Sequence, residues 1–216
     1  MSAENTVVVY GHPMSTYVRT VRMALMEKGV AYTFEPMPAS RPEGTALHPF
    51  GAMPAFRHGD IHLFETLAIT RYVDAAFPGA KLQPRDKRAR AIMDQWVSAV
   101  SDYVYRDAIR SFVLQYVFPK GPGGTPDQKV IGEAMPRIRR DLAVLDRQLA
   151  ENAYLAGAKL TLADLYLAPI ASYIPAFPGG NDLMAPCPDL ARWLEKMAKR
   201  PSFAATVPPR LSAKAS

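Results

Sequence analysis

The sequence predicts an α/β domain followed by an all-helical domain, and three observations lead to this fold class. Strand and helix patterns alternate over residues 1–80. From residue 86 onward the apolar residues recur at helical spacing, and no convincing strand pattern is found. Between these parts, residues 78–84 (PGAKLQP) have the composition of a linker. We therefore predict two domains, over residues 1–80 and 86–216.

The N-terminal part begins with a predicted strand, helix and second strand. Residues 6–10 (TVVVY) are β-branched and apolar, which is typical of a buried strand. Apolar residues then recur at helical spacing over residues 18–25, and Gly29 stands where that helix would end. Tyr32 and Phe34 alternate with smaller or polar residues and predict a second strand. A strand–helix–strand order favours parallel pairing of the two strands.

The rest of the N-terminal part is predicted to be a hairpin followed by a helix. Residues 39–49 are interrupted by proline and glycine and predict at most a short helix. Residues 55–57 and 61–64 flank a turn at residues 58–60, as the strands of a hairpin do. A helix then opens at Glu65 and ends before the proline and glycine of the linker.

The second part is predicted to consist of helices that surround an apolar core. The helical patterns cover residues 87–118, 128–152, 161–173 and 189–199. In the second helix, apolar residues spaced by four, three and four positions form a core-facing stripe. They are Ile138, Leu142, Leu145 and Leu149. Thr161 and Asp164 form a capping box before an apolar run, which predicts a buried, structural role for Asp164.

Composition and charge exclude several classes of function. The net charge is +6, but the basic clusters carry no interleaved aromatic residues, so we expect no nucleic-acid binding. No apolar run approaches the ~20 residues of a membrane span. The four histidines show no metal-binding spacing, and no metal cofactor is expected. A polar N-terminus without a signal-peptide pattern and a single cysteine, Cys187, predict a cytoplasmic protein.

Five segments of the sequence resemble serine-type glutathione transferases, and most of all their phi class. In chain order they are GHPMSTYVRTVRMALMEKGV, HPFGAMPAF, LFETLAITRYV, LAGAKLTLADLYLAP and CPDLARWLEKMAKRPSF. Their order and spacing match the family over nearly the whole chain. The resemblance implies a thioredoxin-like N-terminal domain that binds glutathione as co-substrate and a helical-bundle C-terminal domain that holds an apolar electrophile.

The resemblance places the catalytic hydroxyl on Ser15, at the start of the first helix. A helix N-terminus favours negative charge and lowers the pKa of a nearby thiol, and a serine hydroxyl can donate a hydrogen bond to the glutathione thiolate. A serine here also fits a plain helix cap, and the hydroxyls of Thr16 and Tyr17 are alternatives for the catalytic role. Arg19 either adds positive potential to this site or forms a surface ion pair.

The resemblance also assigns residues to the glutathione site. Met53 and Pro54 occupy the family's cis-proline position, where the backbone of Met53 would pair with the bound tripeptide like an added strand. Glu65 would hold the ammonium of the γ-glutamyl group. Thr66 would hold its α-carboxylate at the positive end of the third helix.

The glycyl end of the glutathione site departs from the family pattern. Only Arg41 and the nearby His48 offer positive or polar groups in this segment, and Arg41 is our candidate for binding the glycyl carboxylate. The family commonly carries asparagine at position 48 and glutamine at position 52, where this chain has His48 and Ala52.

For the electrophile, the expected contacts are Met14, Tyr17 and Tyr116. In the family, an aromatic residue at the position of Phe50 inserts into the partner subunit, and the resemblance therefore implies a homodimer.

The leading hypothesis is an enzyme of detoxification that conjugates glutathione to apolar electrophiles. Two alternatives share the fold. One is a non-catalytic ligand-binding protein, and the other is a glutathione-dependent peroxidase, isomerase or dehalogenase.

Overall fold

The structure is a computed structural model that describes residues 6–37 and 42–208. The chain divides into two units, of which the second is Pro84–Lys199. Of the described residues, the first unit comprises those up to Gln83 and, in addition, the segment that begins at Arg200. We had expected that segment to belong to the helical domain.

The first unit is built on a mixed four-stranded sheet of order β2-β1-β3-β4. The strands are β1 (Val7–Gly11), β2 (Thr33–Pro36), β3 (Ala55–His58) and β4 (Ile61–Phe64). Strand β1 pairs with β2 in parallel and with β3 antiparallel, and β3 and β4 form an antiparallel hairpin. The parallel pair and the hairpin predicted from the sequence are both confirmed, with β2 starting one residue after Tyr32.

Three helices complete the α/β arrangement: α1 (Thr16–Glu27), α2 (Pro42–Leu47) and α3 (Thr66–Ala76). Helices α1 and α3 pack against each other, and the predicted apolar face of α1 is fully buried. Gly29 follows α1 with φ of 69°, a left-handed conformation that glycine adopts without strain.

The segment from Arg200 onward returns to α1 and contains the short helix α10 (Pro201–Ala204). Arg200 donates from Nε to Oε1 of Glu27 at 2.8 Å, and the hydroxyl of Ser202 donates to the same oxygen. The ring of Phe203 lies 4.8 Å from the guanidinium carbon of Arg19. These contacts explain why residues 200–208 belong with the first unit.

The second unit is helical, as predicted. Its first helix is α4 (Lys87–Ala99), which continues as a π-helical stretch over Val100–Val113 and ends in α5 (Leu114–Val117). A short 3₁₀ turn at Pro122–Gly124 leads to the remaining helices. They are α6 (Gln128–Glu151), α7 (Leu162–Tyr173), α8 (Gly180–Met184) and α9 (Pro188–Ala198), with a 3₁₀ turn at Ile174–Ala176 after α7.

The core of the helical unit forms around α6 and α7. The four stripe residues of α6 are each at most 1% exposed, which confirms the predicted face. The capping box of Thr161 and Asp164 is present, and Asp164 is wholly buried. Its carboxylate accepts from the backbone N–H of Leu155 at 2.8 Å and from Nε1 of Trp193 at 3.1 Å. Burial raises the pKa of Asp164, although these hydrogen bonds oppose the shift.

Membrane-spanning helices and metal-binding clusters are both absent from the described part of the chain. None of its helices combines the length and the apolar character needed to cross a bilayer. Within residues 6–37 and 42–208, histidine, cysteine and acidic side chains form no group of three that could hold a metal ion.

Candidate functional site

The topology of the sheet brings three distant segments to one end of the first unit. Tyr10 near the end of β1 pairs with Ala55 at the start of β3, and Ala55 pairs with Phe64 at the end of β4. The residues that follow β1, precede β3 and follow β4 therefore meet at this end. They include Ser15, Met53-Pro54 and Glu65-Thr66.

Ser15 is the N-cap of α1, as its position in the sequence predicts. Its backbone is extended (φ −71°, ψ 124°), and its hydroxyl oxygen accepts from the backbone N–H of Val18 at 3.3 Å. The backbone N–H of Ser15 donates to the carbonyl of His12 at 3.0 Å, which closes the turn before the helix. A hydroxyl that accepts this bond keeps its own O–H to donate, so one serine can cap the helix and hydrogen-bond an anion.

The two neighbouring hydroxyl residues differ in exposure. Thr16 is 3% exposed, and its hydroxyl oxygen is buried without a hydrogen-bond partner among the described residues. Thr16 is thus a poorer candidate than the half-buried Ser15 for contact with a ligand thiolate. Tyr17 is also half-buried and stays an alternative.

Arg19 lies one turn beyond Ser15 and is wholly buried. Its backbone N–H donates to the carbonyl of Ser15 at 3.0 Å, and its guanidinium lies over the ring of Phe203. Of the two roles considered for Arg19, the surface ion pair is therefore wrong, because the side chain does not reach the surface. A positive charge is instead held inside the first unit, on the helix that Ser15 caps.

The peptide bond between Met53 and Pro54 is cis. Pro54 is buried and Met53 is half-buried. Within the described chain, no hydrogen bond engages the backbone N–H or C=O of Met53. Both groups are thus free to pair with an extended ligand in the manner of an added strand.

The start of α3 combines a carboxylate with open backbone amides. Glu65 is the N-cap of this helix, but its side chain makes no capping hydrogen bond and is 66% exposed. Its φ is 68°, which is rare for a residue other than glycine and costs about 1–3 kcal/mol. Thr66 opens the helix and is 7% exposed. Uncapped amides at a helix N-terminus are suited to bind a carboxylate, and Glu65 is suited to bind a cation.

His48 is the site residue that sequence reasoning failed to connect with Glu65. It is 2% exposed, and its Nε2 lies 3.8 Å from Oε1 of Glu65. The sequence signal was the departure from asparagine at this position, which we had related only to the glycyl end of the site. Arg41, our candidate for the glycyl carboxylate, lies outside the described residues.

The candidate electrophile residues lie in different units. Met14 and Tyr17 flank Ser15 in the first unit and are half-buried, and the backbone N–H of Met14 donates to Nδ1 of His12 at 3.2 Å. Tyr116 belongs to the helical unit, where its ring stacks on Phe177 with centroids 5.5 Å apart. The half-buried ring of Tyr116 gives this unit a flat aromatic surface.

Phe50 is the most exposed of the large hydrophobic residues in the described chain, at 81%. Its ring lies 6.3 Å from that of Phe64, which is itself 37% exposed. Single exposed apolar residues are common, but an aromatic residue that is almost fully exposed is typical of an interaction site.

Comparison with known proteins gives concordant matches over both units. Residues 9–81 match the family model described as glutathione S-transferase, N-terminal domain, and residues 105–201 match that of the C-terminal domain. The chain is 34% identical over 206 residues to glutathione S-transferase 3 of Zea mays, with 92% of each chain covered.

Solved structures give the same result. The apo form of glutathione S-transferase III superposes with a TM-score of 0.83 at 33% identity, covering 94% of this chain and 99% of that one. Glutathione S-transferase I from maize, in complex with an atrazine glutathione conjugate, superposes with a TM-score of 0.82 at 28% identity, covering 97% of each chain.

Proposed function

Because this chain belongs to the glutathione S-transferase family, we propose that it conjugates the sulfur of glutathione to small apolar electrophiles. The observation that carries the proposal is the position of Ser15. Its hydroxyl caps α1 and retains an O–H to donate, at the end of the sheet where Met53, Glu65 and Thr66 also lie. These residue roles are our proposal.

In the proposed mechanism, Ser15 keeps the glutathione sulfur ionised. The thiol gives its proton to solvent, the hydroxyl of Ser15 donates a hydrogen bond to the thiolate, and the N-terminus of α1 adds positive potential. The sulfur then forms a bond to the electrophilic carbon. In a substitution the leaving group departs with the bonding electron pair, and in an addition the neighbouring atom of the electrophile takes a proton.

Glutathione would be held along its length by three groups of the first unit. The open amides of α3, with the hydroxyl of Thr66, bind the α-carboxylate of the γ-glutamyl group. Glu65 binds the ammonium next to it. The backbone of Met53, before Pro54, pairs with the cysteinyl residue, and Arg41 is our candidate for the glycyl carboxylate.

The electrophile is proposed to contact Met14, Tyr17 and Tyr116. Two half-buried side chains beside Ser15 and an aromatic surface in the helical unit support an apolar substrate. The structure of glutathione S-transferase I from maize in complex with an atrazine glutathione conjugate supports a site that accepts a small organic electrophile.

We further propose a cytoplasmic homodimer in which Phe50 inserts into the partner subunit. The 81% exposure of Phe50 supports the interface, because a closed two-fold contact would bury this ring. The single cysteine, Cys187, is buried and unpaired, in keeping with a reducing compartment.

Calorimetric titration with glutathione, together with turnover of a generic aryl halide, tests the proposed function. We expect saturable binding and steady conjugation. An absence of binding at millimolar glutathione would overturn the proposal. Binding without turnover of any electrophile would favour the non-catalytic ligand-binding alternative instead.

A further inference from the structure

His48 is held between the turn that carries Phe50 and the start of α3. The backbone N–H of His48 donates to the carbonyl of Gly44 at 2.9 Å, and its carbonyl accepts from Gly51 at 2.8 Å. The imidazole packs on the ring of Phe64, with centroids 5.0 Å apart. Phe64 directly precedes Glu65, so His48 is fixed by its backbone and by its ring next to the carboxylate.

The contacts of the imidazole determine which nitrogen carries the proton. The backbone N–H of Phe50 donates to Nδ1 at 3.4 Å, which requires an unprotonated Nδ1. In the neutral ring the proton is then on Nε2. Nε2 is the atom that lies 3.8 Å from Oε1 of Glu65, so an N–H donor stands next to that carboxylate.

Glu65 has little else to fix its side chain. It makes no capping hydrogen bond with α3, and it is 66% exposed. Among residues 6–37 and 42–208, His48 is the one ionisable side chain recorded within ion-pair distance of Glu65. The present gap of 3.8 Å is longer than a hydrogen bond, so the proposed contact requires the exposed carboxylate of Glu65 to rotate toward Nε2.

We propose that His48 is a positioning residue that holds the carboxylate of Glu65 in place to receive the ammonium of the γ-glutamyl group. The inference rests on the proposed role of Glu65. A neutral imidazole suits the task, because its Nε2–H can bind one carboxylate oxygen without cancelling the negative charge that attracts the ammonium.

Two substitutions test the roles of the two ring nitrogens of His48 separately. His48→Asn keeps an acceptor near the position of Nδ1 and loses the Nε2 donor, whereas His48→Gln keeps a donor near Nε2 and loses the Nδ1 acceptor. We expect H48N to raise KM for glutathione about three- to ten-fold, the effect of losing one hydrogen bond of ordinary net strength. We expect H48Q to stay within about two-fold of the wild type in this KM, with the pKa of the bound thiol unmoved in both variants.

Glutaryl-cysteinyl-glycine, an analogue of glutathione without the α-amino group, tests whether His48 acts through the ammonium that Glu65 binds. The wild type and H48N should bind this analogue equally, because it offers no ammonium to Glu65. The inference is wrong if H48N lowers affinity for glutathione and the analogue alike, or if H48Q is the more damaged variant, since either result indicates a purely structural role in the turn.

A measurement on the wild type keeps the test independent of folding. Nitrogen NMR of the His48 side chain should show the Nε2–H tautomer and a shift when glutathione, but not the analogue, is added. An Nδ1–H tautomer would contradict the inference. Glu65→Gln separates this result from the proposed function: if E65Q leaves the KM for glutathione unchanged, the role of Glu65 itself is wrong.

Discussion

Glu27→Gln should destabilise the first unit, because Glu27 on α1 binds the segment that begins at Arg200. The side chain of Glu27 is 10% exposed and that of Arg200 is 29% exposed. The carboxylate accepts two hydrogen bonds from Arg200 and one from Ser202. Hydrogen bonds to a charged group contribute about 1.5–3 kcal/mol, and partial exposure reduces this, so we expect a loss of about 2 kcal/mol.

The pH dependence of this loss follows from the pKa of Glu27. Burial acts to raise the pKa, but the hydrogen bonds from Arg200 and Ser202 and the charge of Arg200 together hold it below its ordinary value of 4.5. A carboxyl with a lowered folded-state pKa stabilises the protein above the ordinary value and loses this contribution as the pH falls through the folded-state pKa. The difference between wild type and E27Q should therefore be largest near neutrality and shrink in acid.

Urea denaturation followed by circular dichroism, at neutral pH and in steps into the acid range, measures this effect. A loss of about 2 kcal/mol corresponds to a melting temperature lower by about 4–8 °C in a chain of this size. Glu195→Gln is the matched control, because Glu195 is exposed in the helical unit, and we expect it to stay within about 0.5 kcal/mol. Equal stability of E27Q and wild type, or a difference that does not change with pH, would refute the reasoning.

Three further substitutions test other parts of the structure. Asp164→Asn should lower the free energy of unfolding by about 3 kcal/mol in urea denaturation, because it replaces a buried carboxylate that accepts hydrogen bonds from Leu155 and Trp193. A loss below about 0.5 kcal/mol would contradict that role. Phe50→Ala should shift the protein from dimer to monomer in light scattering. Phe118→Ala, at a 64% exposed residue of the helical unit, is the control and should not change the oligomeric state. A dimer that persists in F50A disproves the proposed contact. Tyr116→Ala should raise KM for an aryl halide by about ten-fold and leave KM for glutathione unchanged, and the opposite pattern in steady-state kinetics would remove Tyr116 from the electrophile site.

Hydrophobic periodicity was sufficient to predict most of the secondary structure. The apolar face of α1 and the stripe on α6 are buried as their spacing requires, since a helix places every third or fourth residue on one side. The hairpin and the parallel strands follow from short-range signals of the same kind. The cap at Ser15 was also predictable, because it depends on the residues of a single turn.

The sequence did not predict features that depend on contacts between distant residues. Glu27 and Arg200 are 173 positions apart, so no local pattern shows that the last segment joins the first unit. For Arg19 the sequence left two roles open, added positive potential near Ser15 or a surface ion pair, and the contact with Phe203 that decides between them depends on that same segment. His48 meets Glu65 only because the hairpin places both at one end of the sheet.

The π-helical stretch of Val100–Val113 was also beyond sequence reasoning. Its residues have ordinary helical propensities, and the wider helical turn alters hydrogen-bond spacing without a composition of its own. The pattern predicted a helix over this range, and the structure confirms the helix. The pattern did not predict its π-helical pitch.

The pKa of the thiol of bound glutathione, measured by thiolate absorbance in wild type, Ser15→Ala and Thr16→Val, tests the central claim most directly. We predict that S15A raises this pKa by about one unit or more and lowers turnover about ten-fold or more, because one hydrogen bond to a charge is lost. T16V should leave both values near those of the wild type, since the Thr16 hydroxyl is buried. A thiol pKa that is unchanged in S15A, or raised in T16V instead, would contradict the assignment of Ser15.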